Sequence, residues 1–185
     1  MHIKNTYSFL LFILAISFSL NCNGEMYEID GSPFATEDTP LPQYIKSMNE
    51  KLILVDPNEH VWGAYNAKGK LIRWGIATTG ADWCRENESS CRTKTGHFRI
   101  YSLGDHACVS RKFPVPDCGA PMPYCMYFNG GQAIHGSYEV EYDNSSHGCI
   151  RINVSDAKWL RYHFVEGPNS TNHYQGTKII VRHYQ

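Results

Sequence analysis

The chain has 185 residues, which is enough for one ordinary domain. Lys and Arg total 17 against 18 Asp and Glu, so the formal net charge of −1 provides no basic surplus to hold a nucleic acid or an anionic membrane surface. Hydrophobic residues make up 42% of the chain, as in folded domains. No apolar stretch reaches the roughly 18 residues that a membrane-spanning helix needs, which excludes a polytopic membrane protein.

The N-terminus predicts an export signal over residues 1–24. Lys4 carries a positive charge ahead of an uncharged, mostly apolar run at 7–20, which is too short to span a bilayer and has the length of a signal-peptide core. Three outcomes stay open: ordinary cleavage after Gly24, lipidation of Cys22, or an uncleaved signal. Only the last two would attach the protein to a membrane. We therefore expect an exported protein of the periplasm or cell envelope.

Export also decides the state of the seven cysteines, because thiols pair in an oxidising compartment unless something protects them. Five of them lie in two loops: Cys84, Cys91, Cys108, Cys118 and Cys125. We expect a Cys84–Cys91 disulfide, since these residues flank one short polar loop. The connectivity of the other three stays open. Cys149 is set apart by its different surroundings.

In chain order, Gly, Ser, Pro, Thr and acidic residues at 25–50 predict an N-terminal arm or linker, with one or two helical turns at 41–48. The domain then covers 51–185. Aliphatic and aromatic runs between turn residues predict strands at 51–56, 60–67, 71–80, 96–104 and 177–184, and two short strands within 122–136. One helix is predicted, with Ser155 as N-cap and Asp156 in its first turn. The fold class is mostly β, a sandwich or barrel-like domain with one short helix.

The segment 133–156 (AIHGSYEVEYDNSSHGCIRINVSD) concentrates the reactive residue types. A cysteine attacks a carbonyl as thiolate, and a histidine within hydrogen-bond reach takes the thiol proton and later returns it to a leaving group. Cys149 is therefore the candidate nucleophile, and His135 and His147 are the candidate bases. His147 is two residues from Cys149, whereas His135 must be brought back by the fold.

Backbone groups of the same segment complete a possible acyl-transfer site. Gly136 and Gly148 would let the backbone approach a substrate closely. The amides around Gly148 and Cys149 would form an oxyanion hole. Arg151 has the same strand parity as Cys149 and would hold a carboxylate. The candidate substrate-binding residues are Arg151, Ser146 and Tyr124.

The sequence SHGCIR, preceded by IHG, resembles the catalytic motif of the L,D-transpeptidases, the YkuD-type domain of bacterial cell-wall enzymes. The segments TKTGHFRIYS and MPYCMYFNGGQAIHG resemble neighbouring parts of the same domain. Together with the opening strands, the resemblance covers about residues 51–183. It is therefore much wider than the motif alone.

The resemblance implies acyl transfer on peptidoglycan stem peptides, the expected partners. Cys149 would be the nucleophile, and His135 the base, oriented by the carbonyl of Gly136. His147, Gly148 and Cys149 would shape the oxyanion site, while Arg151 positions the substrate or the motif. D-Ala would leave, and an amine of a second stem or water would resolve the thioester. No cofactor or metal is expected, because the nucleophile, base and oxyanion donors are protein groups.

Three features depart from the family pattern: a short stretch between His135 and Ser146, Lys94 in place of a proline, and the extra cysteines. Other interpretations stay open beside the transpeptidase. One is a catalytically idle peptidoglycan-binding module with Cys149 in a disulfide. Another is an acyltransferase that attaches a protein lysine to the wall. A zinc site built from His135, His147 and Cys149 is the third.

Overall fold

The computed structural model describes residues 38–85, 88–110 and 119–185, so the predicted signal peptide with Cys22, and Cys118, lie outside the described residues. The described strands are β1 (Leu52–Asp56), β2 (Val61–Tyr65), β3 (Leu71–Ile76), β4 (Gly96–Arg99), β5 (Ser102–Leu103), β6 (Val109–Ser110), β7 (Ala120–Pro121), β8 (Met126–Asn129), β9 (Gln132–Ser137), β10 (Ile150–Asn153) and β11 (Lys178–Val181). One short α-helix, α1 (Val154–Trp159), follows β10 and continues as a π-helical turn (Leu160–Phe164), and a 3₁₀ turn forms at Ser170–Asn172. The domain is mostly β with one short α-helix, which confirms the predicted fold class.

The strands form two main sheets and a small ribbon. The five-stranded sheet has the order β3-β2-β1-β11-β4, and the four-stranded sheet has the order β10-β9-β8-β5. Most neighbours are antiparallel, but β1 pairs with β11 in parallel and β9 pairs with β10 in parallel. Strands β6 and β7 form the two-stranded ribbon. No helix in the described part of the chain is long and apolar enough to cross a membrane.

The main core lies between the two sheets and α1. Ile53 and Trp62 point into it from the five-stranded sheet, and Met126 and Ile152 meet them from the four-stranded sheet. A second core covers the opposite face of the five-stranded sheet, where the alternate residues of β1 and β2 pack with Leu41. Strands β1 and β2 are therefore buried on both faces, which explains their nearly continuous apolar sequence.

The strand predicted at 96–104 divides into β4 and β5 because the chain changes sheets. Ile100 still bonds to the β11 side, since its N–H donates to the Thr177 carbonyl at 2.9 Å. The next amide, that of Tyr101, donates to the Tyr127 carbonyl of β8, also at 2.9 Å. Ile100 is fully buried at this crossing. This segment therefore ties the two sheets together.

The helical turns predicted at 41–48 are wrong, because this part of the arm is extended along the edge of the five-stranded sheet. Tyr44 forms an antiparallel bridge with Lys70. The Leu71 N–H donates to the Gln43 carbonyl at 2.9 Å. An edge strand presents unpaired backbone groups, and here the arm satisfies them in place of forming its own helix.

The helix after the catalytic segment begins at Val154, with Asn153 and not Ser155 at the N-cap. The N-cap side chain makes no capping hydrogen bond. The Asp156 carboxylate in the first turn faces β3 and accepts from Arg73 Nε at 2.9 Å. Asp156 is completely buried, and burial raises the pKa of its carboxyl, although Arg73 opposes the rise. Asp156 lies in the first turn as predicted, and it forms half of an ion pair between helix and sheet.

Candidate active site

The parallel pairing of β9 with β10 brings the two halves of the predicted site together. His135 on β9 lies opposite Arg151 on β10, and Ile134 lies opposite Ile150. Paired residues of neighbouring strands point to the same face of a sheet, and so do residues two positions apart on one strand. Cys149 directly precedes β10 and shares the parity of Arg151. His135, Arg151 and Cys149 therefore lie on one face of the four-stranded sheet.

The side chain of His135 is held as a neutral base. The ring is buried, and its Nδ1 lies 2.9 Å from the carbonyl oxygen of Gly136, as the resemblance implies. A carbonyl accepts only, so Nδ1 carries the proton and Nε2 keeps its lone pair. Burial lowers the pKa of His135 to about 4, and the positive charge of Arg151 acts in the same direction. At neutral pH, the ring is ready to accept a proton at Nε2.

Cys149 is partly exposed on a cleft of about 520 Å³. Its Sγ lies 3.8 Å from the Gly131 carbonyl oxygen in the turn between β8 and β9. Residues 89–92 form one wall of the cleft, and Met122 and Tyr127 contribute to another. His147 also lines the cleft. The predicted nucleophile is thus accessible to a ligand. The candidate base His147 lies beside it in the cleft, and the candidate base His135 lies on the neighbouring strand β9.

The turn that presents Cys149 is fixed by two buried hydroxyl groups. Ser146 Oγ donates to the Cys149 carbonyl at 2.5 Å and accepts from the Gly148 N–H at 3.1 Å. Thr93 Oγ1 donates to the Gly148 carbonyl at 3.0 Å and accepts from the Gly80 N–H at 2.9 Å. The turn that presents Cys149 is therefore bonded to the segment after β3 and to the TKTG segment.

These bonds correct two sequence predictions. Ser146 was a candidate substrate-binding residue, but it is only 1% exposed and its hydroxyl serves the turn. The Gly148 amide was a candidate oxyanion donor, but its N–H already donates to Ser146. A buried N–H engaged in this way is not offered to a ligand. Both residues hold the turn together through these hydrogen bonds.

The packing around the two predicted glycines leaves no room for a side chain. A Cβ on Gly136 would lie 3.0 Å from the Cα atom of Val154, so this glycine lets α1 pack closely on β9. A Cβ on Gly148 would lie 2.9 Å from Gln132 Nε2, and its φ of +108° is one that L side chains rarely adopt. Their role towards a substrate stays a prediction.

Tyr124 is the third residue that the structure places differently. Its side chain is buried in the main core, and its ring meets the ring of Tyr162 edge to face with centroids 5.8 Å apart. Tyr127, three residues further along, lines the cleft. The reason is strand alternation, since Met126 and Phe128 fill the core and leave Tyr127 on the opposite face.

The predicted Cys84–Cys91 disulfide is confirmed, and a second disulfide joins Cys108 to Cys125. Among the described cysteines, Cys149 is the one that keeps its thiol. The first disulfide closes the loop that forms one wall of the cleft, and the second lies behind Tyr127. The extra cysteines thus support the surroundings of Cys149.

Sequence reasoning missed Thr93 and the environment of Arg151. Thr93 is visible in the TKTG segment, but its bond to Gly148 joins residues 55 positions apart. Arg151 NH1 lies 3.4 Å from a Glu139 carboxylate oxygen, and the side chain is mostly buried beside His135. In the part of the chain that the structure describes, no three His, Cys, Asp or Glu side chains are arranged to hold a metal ion.

Comparisons with known proteins bear on the family and the fold of the chain. A family model described as the YkuD L,D-transpeptidase catalytic domain matches residues 50–181. No curated protein sequence matches the chain. The fold is similar to that of an L,D-transpeptidase from Xylanimonas cellulosilytica, with a TM-score of 0.61 and 24% identity over 75% of this chain and 63% of that one.

Two further solved structures show the same fold. An L,D-transpeptidase from Stackebrandtia nassauensis aligns with a TM-score of 0.57 and 21% identity over 77% of this chain and 60% of that one. The catalytic domain of an E. faecium L,D-transpeptidase aligns with a TM-score of 0.51 and 22% identity over 73% of this chain and 98% of that one. The chain thus spans about three fifths of the first two structures but nearly the whole of the isolated catalytic domain. On the match over residues 50–181, the chain belongs to the YkuD family of L,D-transpeptidase catalytic domains.

Proposed function

We propose that this protein is an exported cysteine acyltransferase that acts on peptidoglycan stem peptides, with Cys149 as nucleophile and His135 as base. The observation that carries the proposal is the shared face of His135 and Cys149, with a neutral imidazole behind a thiol that faces a cleft. Family membership supports the same class of reaction.

In the first half of the reaction, the thiol proton moves from Cys149 Sγ to His135 Nε2. The sulfur attacks the carbonyl carbon of the third stem residue, and the carbonyl oxygen takes the negative charge. We assign the backbone amide of Cys149, at the start of β10, as an oxyanion donor. The intermediate then collapses to a thioester, and His135 returns the proton to the amine of the departing D-Ala.

In the second half, an amine of another stem peptide or a water molecule attacks the thioester. His135 takes a proton from the attacking group, and the thiol of Cys149 is restored when the carbon–sulfur bond breaks. Because the pKa of His135 is lowered, the imidazolium is short-lived and gives up its proton readily. An amine acceptor makes the enzyme a transpeptidase, and water makes it a carboxypeptidase.

Export is supported by the two disulfides, since such bonds persist in oxidising compartments and are rare where thiols are kept reduced. The predicted signal at 1–24 lies outside the described residues, and the choice between cleavage, lipidation of Cys22 and a retained signal stays a prediction. Periplasm or cell envelope, where peptidoglycan is found, is the proposed location.

The test is mass spectrometry of tetrapeptide-stem muropeptides after incubation with the purified protein. We expect loss of D-Ala, with cross-linked dimers if an amine is the acceptor and trimmed tripeptides if water is. Cys149→Ala is expected to abolish both products while the melting temperature is unchanged. Tyr162→Phe, which changes an exposed ring outside the cleft, is the matched control and should retain full activity.

Two results would contradict the proposal. One is full turnover by Cys149→Ala, which would place the nucleophile elsewhere. The other is unchanged muropeptides with wild-type protein whose Cys149 is shown by thiol titration to be reduced. That second result would favour a module that binds the wall without reacting, or a different amide substrate.

A further inference from the structure

Tyr127 lies in a row with the nucleophile across the four-stranded sheet. On β8, Tyr127 pairs directly with Ala133 of β9. The parallel pairing of Ile134 with Ile150 places Cys149 beside Ala133 on the next strand. The three side chains share one face, and the alanine between the outer two is small. The phenol of Tyr127 can therefore reach across Ala133 to the sulfur.

The packing around this row agrees with the register. A small buried cluster contains Met122, Cys125 and Ala133, and both Tyr127 and Cys149 pack against it. The Tyr127 hydroxyl oxygen lies 3.8 Å from the sulfur of Cys108, which is in the disulfide with Cys125. Tyr127 also lines the cleft into which Cys149 opens. The hydroxyl is thus held at the border between the cluster and the cleft.

The phenol keeps its proton in this place. Burial raises the pKa of Tyr127, and the negative charge of the Cys149 thiolate raises it further, as does Tyr101. Tyr127 and Cys149 also line the same cleft. Since the phenol stays neutral when the thiol ionises, it presents an O–H group beside the thiolate.

We propose that the Tyr127 hydroxyl donates a hydrogen bond to the Cys149 thiolate and so acts as a positioning residue that favours the reactive form of the nucleophile. No bond is made or broken by this contact; the thiol proton still goes to His135. The inference rests on the proposed function for its meaning in catalysis. The hydrogen bond itself is tested without turnover.

Other charged and ionisable groups surround the pair, and they are common to every variant below. On the sheet, His135 and Arg151 lie behind Cys149. His147 and Arg92 line the cleft. Asp105 and Arg161 line a hollow on the far side of Tyr127. Tyr101 lies beside the Tyr127 ring. Because none of these groups is altered, a shift in the pH profile of Cys149 that follows removal of the Tyr127 hydroxyl is assigned to that hydroxyl.

The experiment is the pH profile of iodoacetamide alkylation at Cys149, measured by mass spectrometry of the peptide that contains it. Tyr127→Phe keeps the ring and removes the hydroxyl. We expect the midpoint of the profile to rise by about one pH unit, the size that follows from loss of one hydrogen bond to a charged group. Tyr162→Phe, which removes an exposed hydroxyl elsewhere, should leave the midpoint unchanged.

A purely structural role for Tyr127 gives a different result. It would slow or speed alkylation at every pH without moving the midpoint, and that outcome would overturn the inference. Tyr127→Leu, which lacks both ring and hydroxyl, should show the same upward shift as Tyr127→Phe. Near-ultraviolet circular dichroism and melting temperature show that each variant is folded.

Turnover separates this inference from the proposed function. If wild-type protein processes muropeptides, we expect Tyr127→Phe to lower kcat about fivefold to tenfold near neutral pH with little change in KM. The deficit should diminish at alkaline pH, where the thiol ionises without help. A midpoint shift without any turnover by wild type would uphold the hydrogen bond and refute the proposed substrate.

Discussion

The two sheets of this domain differ in how their faces are used. In the five-stranded sheet, β1 and β2 are buried on both faces, one against the main core and the other against the arm around Leu41. In the four-stranded sheet, β8 and β10 alternate between buried and partly exposed residues. Met126 and Ile152 face the core, while Tyr127 and Arg151 face the other way.

The difference shows that the residues that stabilise the fold and the candidate reactive residues lie on different sheet faces. Strands that are buried on both faces contribute apolar area to two cores, which stabilises the fold, and they leave no face for a ligand. A sheet buried once can carry polar and reactive side chains on its second face, provided that their positions are fixed by other bonds. Here, Ser146 and Thr93 fix the catalytic turn. Changes to the first sheet should therefore affect folding, and changes to the second face should affect reactivity.

The largest expected effect is on the second face. His135→Asn should reduce turnover about 10³-fold, because the base that accepts the thiol proton is lost. Measurement of kcat/KM on a tetrapeptide-stem donor checks it. His163→Asn, a change at a histidine outside the cleft, is the control and should keep normal turnover. Equal activity of His135→Asn and wild type would remove His135 from the mechanism.

The matching change in the first sheet is Ile53→Ala. Ile53 is fully buried in the main core, and its loss should lower the free energy of unfolding by about 3 kcal/mol. Urea unfolding checks this, with Ile72→Ala on β3 as control, since that side chain is 40% exposed and should cost about 0.5 kcal/mol or less. A similar loss in both variants would contradict the assignment of the core.

The pH dependence of stability sharpens the comparison, because His135 is a buried titratable group on the functional sheet. Its pKa is about 4 in the folded protein and 6.5 for an unperturbed histidine. Between these values, the unfolded chain binds the proton and the folded protein does not, so stability is lost as the pH falls from 6.5 to 4. The contribution is about 3 kcal/mol at most.

Urea unfolding at several pH values, for wild type and His135→Asn, measures this contribution. Carboxyl groups are common to both proteins and cancel in the difference. We expect the wild-type free energy of unfolding to fall more steeply than that of the variant between pH 6.5 and 4. Parallel curves would mean that the ring is protonated in the folded protein as easily as in the unfolded chain.

A smaller effect is expected at the turn that joins the two regions. Thr93→Val keeps the shape but leaves the Gly80 N–H and the Gly148 carbonyl without the hydroxyl, which should cost about 2 kcal/mol of stability. Turnover should fall about tenfold, because the turn that presents Cys149 loses support. Thr95→Val, in the same segment, removes only a hydroxyl that contacts His183 at the surface. It should change neither quantity, and an equal effect would refute the role of Thr93.

The sequence predicted the separate elements better than their assembly. Apolar runs and turn residues located β1, β2, β3 and β11, because these signals are local. The arm at 41–48 was predicted to be helical, since its own sequence does not reveal the open edge of β3 beside it. The helix start was misplaced by two residues, and the sequence does not show that Asp156 pairs with Arg73, 83 positions away.

The same limit applies to the site. Cys149, His135 and the orienting carbonyl of Gly136 follow from short motifs and the family resemblance, and the structure places the side chains of Cys149 and His135 on one face. Ser146 and Gly148 were expected to meet substrate, but a turn's internal hydrogen bonds are three-dimensional information that spacing does not contain. Strand alternation places Tyr127 on the cleft side of β8, but only after the structure shows which side of β8 faces the core.

The central claim is that Cys149 carries the acyl group, and intact-protein mass spectrometry tests it most directly. Protein mixed with a tetrapeptide-stem donor, without an amine acceptor, is quenched in acid and weighed. We predict that wild type gains the mass of the stem acyl group without D-Ala, that peptide mapping places the adduct on Cys149, and that Cys149→Ala gains nothing. An adduct on another residue, or the same adduct in Cys149→Ala, would contradict the account.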